Sequence, residues 1–457
     1  MTFSTLSFLF IVLPLFIIIY YVIPSEKTKW RTVALIVMSL LFYSFGDVKA
    51  LPMLVFSVLF NYFSGREIMY FDRQDKQKLK KASMITAVVI NLLLLSVFKY
   101  TNLKMPIGIS FYTFSAISYI LDIYMKRCEG DESFLDAACY MTFFPKLVSG
   151  PIVQFKDFRD QVGKPVTLDR EHMSNLWEGG YLFLIGLFKK VLLADQLGLV
   201  FGQIKVLPEL SGLSALLGAL FYSLQLYFDF SGYSDMAIGI AKVLGFRIDR
   251  NFNYPYISEN ISDFWRRWHI SLGAWFRDYI YIPMGGNRCS KAKQLRNLSV
   301  VWLITGIWHG STWNFVIWGM YHGLFVIAEK FLIKDKTAKW PRQLRIIITD
   351  IIVFVGWIFF FTPNIQSAFN WIESILCLKG NGFLDNASIY YLYSNLPLII
   401  AGILCSGPWI SKLQKKIIEE KKRGLTYLSV GIHVVLIFFC ISMMVGSTYS
   451  SFLYFDF

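Results

Sequence analysis

Phe264-Trp-Arg-Arg-Trp-His-Ile-Ser-Leu-Gly-Ala-Trp-Phe-Arg-Asp-Tyr279, running on to Gly285-Gly-Asn-Arg288, sets a histidine on an aromatic face beside a cluster of arginines. On a helix turning about 100° per residue, Trp265, Trp268, His269, Leu272, Trp275, Phe276 and Tyr279 share one side. Arg266, Arg267, Ser271, Arg277 and Asp278 take the other. An interfacial membrane helix has the same aspect, with rings at headgroup level and arginines among the phosphates. That explains the tryptophans and arginines but not the histidine. Farther along, inside an apolar run, Gly306-Ile-Trp-His-Gly310 supplies a second histidine, and an ionisable side chain at membrane depth is a functional candidate by default.

Composition places both motifs in a membrane. Of 457 residues, 55% are hydrophobic, 18% aromatic and only 17% charged, where a soluble chain carries roughly a quarter charged. Mean hydropathy is +0.49. The net charge of +14 would suit nucleic acid, but the Lys and Arg collect in short links between apolar runs, where cytoplasmic loops put them. Membrane lipid is the expected partner and nucleic acid is not. Six scattered cysteines without a C-x-x-C pair suggest neither a disulfide framework nor a zinc site, so no metal is expected.

The basic links thread the chain. Lys27, Lys29 and Arg31 follow a first apolar run from Leu6 to Ile23, which reads as a span; residues 66–81 follow two more runs, and Lys126-Arg127 another two. Each link then falls on the cytoplasmic side, with the N-terminus outside. The late runs from Ile346, Tyr390 and Tyr427, with basic residues 412–423 before the last, put the C-terminus outside as well. About ten to twelve transmembrane or re-entrant helices are expected in an all-α polytopic membrane protein. Residues 1–457 read as one membrane domain, with 105–330 as its catalytic core and 346–457 as C-terminal membrane helices. The pattern fails in the centre, where Phe143-Phe-Pro-Lys-Leu-Val-Ser-Gly-Pro151 and Lys189-Lys190 interrupt apolar runs. Irregular backbone at membrane depth must be buried in protein or line a wet cavity, and a cavity is expected there.

Five histidines occur. His172, in a polar run, reads as a solvated loop residue, and His433, alone in a late apolar span, needs only a backbone hydrogen bond. His322 follows His309 by thirteen positions, roughly 220° around one unbroken helix. The two share a site only if residues 310–314 break that helix. Histidine suits a general base because its ordinary pKa of about 6.5 lets it take a hydroxyl proton at neutral pH. Trp308 and Trp268 flank the two leading histidines, and Asn314 and Asp235 are polar residues in apolar context. No G-x-S-x-G elbow, H-E-x-x-H helix or Walker loop is present.

At these residues the chain resembles the membrane-bound O-acyltransferase (MBOAT) family, in its alginate O-acetyltransferase branch. The resemblance rests on Tyr43-Ser-Phe-Gly46, Pro106-Ile-Gly-Ile-Ser-Phe-Tyr-Thr-Phe114, Phe144-Pro-Lys-Leu-Val-Ser-Gly-Pro151, Phe228-Asp-Phe-Ser-Gly-Tyr-Ser-Asp-Met236, Phe264 to Arg288 and Gly306 to Gly323. It implies a ring of helices around a thin central region pierced by a tunnel. His309 matches the family's characteristic histidine and is implied to be catalytic; His269 is implied to line the same site, with Trp308, Trp268, Asp235, Asn314 and His322 as further tunnel candidates. An acyl group, acetyl by this resemblance, would pass from a cytoplasmic thioester, acyl-CoA or an acyl carrier protein, to a secreted or surface polysaccharide of a bacterial-type cell. An outer-face partner acyltransferase of the SGNH type would complete the relay. No tightly bound cofactor is expected, and Arg266, Arg267 and Arg277 could meet donor phosphates or lipid. D-alanyl transfer to teichoic acid is the alternative within the family. A polysaccharide-precursor transporter is the alternative outside it, since transporters also use broken helices and buried polar residues.

Overall fold

A computed structural model describes residues 2–128, 133–333, 339–419 and 423–446. All elements among them are helical, with helices labelled in chain order. Six helical stretches are long and apolar enough to cross a membrane, or seven if a pair bent by 57° at Asn395 counts as one span. The C-terminal segment expected on the outer side, residues 447–457, lies outside the described residues, as do 420–422 of the last basic link.

The chain divides into two compact units. One takes in Met1–Gly186 and Tyr233–Arg250, the other Leu187–Gly232 and Asn251–Ser450. The 32-residue helix α11 (Gly212–Val243) contributes to both.

In the first unit α2 (Thr28–Asp47) and α3 (Leu51–Arg73) are joined by a 3-10 turn, Val48–Ala50, with Asp47 leaving the helical conformation at the end of α2, and α4 (Gln77–Tyr100) returns beside α3. With no water to satisfy them, polar side chains at this depth pair across helices. Asn61 and Asn91 exchange amide hydrogen bonds of 3.1 and 2.7 Å, and each also donates 2.8 Å to a carbonyl of its own helix. Asp72 binds both Lys80 and Lys126 at 2.8 Å, so the links read as cytoplasmic from charge do meet on one face. The irregular stretch after α6 (Phe134–Thr142) is buried in protein rather than laid along water. Phe144 N–H donates 3.1 Å to Ser39 Oγ, Tyr140 O–H 2.8 Å to the Val153 carbonyl, and Lys146 Nζ 2.8 Å to Ser115 Oγ with the Tyr140 ring 3.8 Å away. Glycine is required at 150, where a Cβ would lie 2.2 Å from the Pro145 carbonyl oxygen.

His172 departs from the sequence reading. It is buried in the first turn of α9 (Arg170–Phe188), its ring against the Tyr21 hydroxyl. Asp169 accepts 2.8 Å from the His172 N–H and caps the helix start, so the polar run is a helix cap rather than a solvated loop. His433 fits the expectation, with Nδ1 2.7 Å from the Ser429 carbonyl one turn back.

In the second unit the chain after α9 passes through a π-helical stretch, Lys189–Ala194, into α10 (Asp195–Lys205). Lys190 is buried there between Asp195 at 2.6 Å and Asp229 of α11 at 2.8 Å. Lys190 is visible in the sequence as an interruption of an apolar run; its two partners are not. The tightest packing joins α14 (Lys291–His309) to α15 (Trp313–Ala328). A Cβ on Gly306 would stand 2.5 Å from the Phe315 carbonyl oxygen and one on Gly319 2.6 Å from that of Trp302. The two backbones meet at glycines, as small residues permit in membrane helix pairs.

Candidate active site

Residues 310–312 break the helix after His309, so α14 ends on that histidine and α15 doubles back along α14. Gly310 has no room for a side chain: its Cβ would fall 2.0 Å from the Phe315 ring. The break meets the condition under which His309 and His322 can share surroundings. The Trp318 indole centroid lies 4.8 Å from the His309 ring and 5.3 Å from that of His322. His309 is further enclosed by Trp308 at 4.6 Å and by Phe360 of α16 (Arg342–Phe361) at 5.3 Å.

His322 is fully buried, 4.9 Å from Trp265, and neither ring nitrogen has a hydrogen-bond partner among the described residues. Gly356 gives it space, since a Cβ there would come within 2.4 Å of Nε2. Asn314, close after the break, donates 2.8 Å to the Thr362 carbonyl and 3.2 Å to its hydroxyl, and its own Oδ1 is buried without a described partner.

The stretch expected to be one helix over 264–279 is two. α12 (Ile261–Arg267) and α13 (Ile270–Phe276) are separated by an extended Trp268 and by His269 in the left-handed region, φ 43° and ψ 53°. A non-glycine residue pays roughly 1–2 kcal/mol for that conformation, so the surroundings must impose it. They do so through segment 251–253. Asn253 N–H donates 2.9 Å to the Arg267 carbonyl and Ile270 N–H 2.9 Å to that of Asn251, which clamps the chain on both sides of His269. The aromatic stripe is buried nonetheless at Trp268, His269, Leu272, Trp275, Phe276 and Tyr279.

Asn251 also fixes the proton on His269. Its Oδ1 accepts from the Ser271 backbone N–H at 3.1 Å, so that atom is the amide oxygen, and it lies 3.3 Å from His269 Nδ1. Only a protonated Nδ1 can donate to it. Burial pushes the imidazole down to about 3. The ring is therefore neutral, with the lone pair on Nε2, a buried atom with no described partner. The Phe230 ring packs edge-on at 4.7 Å.

Indoles connect the two leading histidines. Trp268, next to His269, lies 4.9 Å from Trp357, which stacks at 5.9 Å on the Trp318 that touches His309. Sequence reasoning missed Asn251, Trp318, Trp357 and Phe360; an asparagine in a loop reads as a turn former, and the aromatics read as core. Asp235 falls in the other unit. Of the three arginines, Arg267 pairs with Asp263 at 2.8 Å and Arg277 with Asp278 at 2.7 Å, whereas Arg266 is exposed.

Three imidazoles, of His269, His309 and His322, are thus buried behind aromatic walls in this helical membrane chain, and comparison with known proteins gives it a class. The model of the membrane-bound O-acyltransferase family matches residues 41–369. The chain is 39% identical to the probable alginate O-acetylase of Azotobacter vinelandii over 80% of its own length and 76% of the relative's. It is 35% identical to a peptidoglycan O-acetyltransferase of Helicobacter pylori (83% and 80%) and 32% identical to a teichoic acid D-alanyltransferase of Bacillus subtilis (57% and 69%). The chain belongs to the MBOAT family. It is a multi-pass membrane acyltransferase.

Proposed function

We propose that the protein takes an acetyl group from a cytoplasmic thioester and moves it across a bacterial cell membrane for O-acetylation of a secreted or cell-surface polysaccharide, reached through an outer-face SGNH-type partner, with His309 as general base. The observation that carries this is the placement of His309 on the last residue of α14, at a helix break and enclosed by three aromatic rings. In the step proposed, the acceptor oxygen attacks the thioester carbonyl, the new C–O bond forms, the C–S bond breaks and His309 takes the hydroxyl proton. The thiolate leaves and is protonated. The carbonyl dipoles at the end of α14 favour the imidazolium formed on the way. His269 would orient a reactant by accepting a hydrogen bond at Nε2, the only polar role open to a neutral ring protonated on Nδ1.

The relatives matched over the larger share of the chain transfer acetyl, which supports acetyl over D-alanyl. The donor, acyl-CoA or an acyl carrier protein, would meet the face bearing Arg266, and an SGNH-type partner would work on the opposite side. The test is the acetyl content of surface polysaccharide in a deletion strain complemented with wild type or His309→Ala at matched membrane levels. Restoration by wild type alone is expected. Restoration by both would remove His309 as the base, and an unchanged acetyl content on deletion would return D-alanyl transfer or transport to the front.

A further inference from the structure

The short helix α20 (Trp409–Glu419) lies between two apolar segments of the second unit, α19 (Leu396–Cys405) and α21 (Arg423–Gly446). We propose that α20 lies in the cytoplasmic leaflet, binds anionic lipid headgroups and, through Tyr254, steadies the segment that clamps His269, so that acyl transfer depends on anionic lipid.

Pattern and exposure place the helix on the membrane surface. At about 100° per residue, Trp409, Ile410, Leu413 and Ile417 share one sector and Ser411 falls behind it. Trp409, Ile410 and Leu413 are 51%, 45% and 59% exposed, so the protein leaves the apolar side open. What covers it follows from its place in the chain. The helix joins two apolar segments at the end where basic residues collect, which is the cytoplasmic interface. An amphipathic helix in that position lays its apolar side among the acyl chains. Lys412 and Lys416 are exposed and flank that side, at the level of the lipid phosphates. Each lysine near an anionic surface adds about a five-fold preference for it.

The back of the helix is tied to the site. Ser411 Oγ donates 3.0 Å to the Pro408 carbonyl and accepts 2.8 Å from the Tyr254 hydroxyl. Tyr254 stands in the left-handed region, φ 49° and ψ 64°, a conformation that a non-glycine residue keeps only when its neighbours impose it. It directly follows Asn251 and Asn253, whose backbone bonds to Ile270 and Arg267 hold His269 in the same region. The Tyr254–Ser411 bond therefore connects a helix facing lipid to the segment that fixes the His269 ring. Lipid that orders α20 raises the share of molecules in which this bond is made, and with it the share in which the clamp is closed.

The test compares the full chain in nanodiscs of phosphatidylcholine with nanodiscs of phosphatidylcholine and phosphatidylglycerol in equal parts, by amide hydrogen exchange and by turnover. In wild type, phosphatidylglycerol is expected to slow exchange of the α20 amides about five-fold or more, to slow Asn253 and Ile270 about three-fold and to raise turnover about three-fold. Lys412→Gln with Lys415→Gln and Lys416→Gln is expected to exchange equally in both lipids. Tyr254→Phe separates the two halves of the proposal: α20 is still slowed by phosphatidylglycerol, while Asn253, Ile270 and turnover no longer respond. Equal exchange of wild-type α20 in both lipids overturns the lipid site. Slowed α20 with unchanged Asn253 and Ile270 in wild type overturns the link to His269. The turnover arm rests on the acyl-transfer reading above and the exchange arm does not, so absent turnover beside the expected exchange pattern counts against that reading and leaves the lipid site standing.

Discussion

His309 and His322 rest on one indole: the Trp318 ring lies 4.8 Å from the first and 5.3 Å from the second. They reach it from different helices, one at the end of α14 and the other a turn beyond Trp318 on α15. Trp318 is almost fully buried and also stacks on Trp357, which makes it a wall common to both imidazoles.

Replacing that wall separates shape from fold. Trp318→Phe keeps an aromatic face and is expected to hold acyl transfer within about three-fold. Trp318→Leu opens the space beside both rings and is expected to cost about ten-fold or more, ~1.4 kcal/mol in the barrier. Activity per folded protein, with folded protein measured by size exclusion in detergent, makes the comparison. Equal activity in the Leu variant would show that Trp318 does not set the histidines.

Asn251 holds His269 through one oxygen that also serves the Ser271 N–H and hydroxyl. Asn251→Leu removes this acceptor from the buried His269 and from Ser271 and is expected to cost about 1–3 kcal/mol of stability along with most of the activity. Asn251→Asp keeps an acceptor in place and should recover both in part. Thermal unfolding and acyl transfer on the two variants would test this, and a Leu variant as active as the Asp variant contradicts the clamp.

The pH profile should not report His269. Its folded value of about 3 lies below the ordinary value of about 6.5, so between these limits the unfolded chain binds the proton and the folded chain does not. The stability due to burying the neutral ring is complete above about 6.5 and is lost as pH falls toward 3. Between pH 5 and 8 the acid limb of acyl transfer should therefore keep its midpoint in His269→Gln, with only its height reduced. A shifted midpoint would mean that His269 titrates in that range.

Lys190 bridges two carboxylates, Asp195 and Asp229, at once. Lys190→Met leaves Asp195 and Asp229 facing each other without a cation and is expected to destabilise the fold by about 3–5 kcal/mol, seen as lost protein in the membrane. Lys190→Met with Asp195→Asn and Asp229→Asn removes all three charges and should return most of it. Failure of the triple variant to accumulate would assign the triad a role beyond charge balance.

How much of this was legible in the sequence varies by residue. The family and the helical membrane class could be read from Phe264–Arg288 and Gly306–Gly323, because hydropathy and motif spacing are local properties of the chain. The face of burial was legible too, since Trp268, His269, Leu272, Trp275, Phe276 and Tyr279 are buried as the stripe implied. The single helix proposed for that stripe was not correct. A left-handed residue at 269 has no signature in its own sequence, being imposed by Asn251 and Asn253 from a separate segment. His172 was misread for a related reason: a polar neighbourhood describes a helix cap and a solvated loop equally well until the position of Tyr21 is known.

The sequence alone determined what must be solved locally: apolar runs long enough to bury their own backbone in lipid, basic links to orient them, glycines where a helix must stop or two backbones must touch. Tertiary structure alone decided which groups meet. The tautomer of His269, the indole shared by His309 and His322, and the charge balance of Lys190 each join residues distant in the chain. Hydrogen bonds and ring contacts act over a few ångströms of space, a distance that hydrophobic period and composition do not encode.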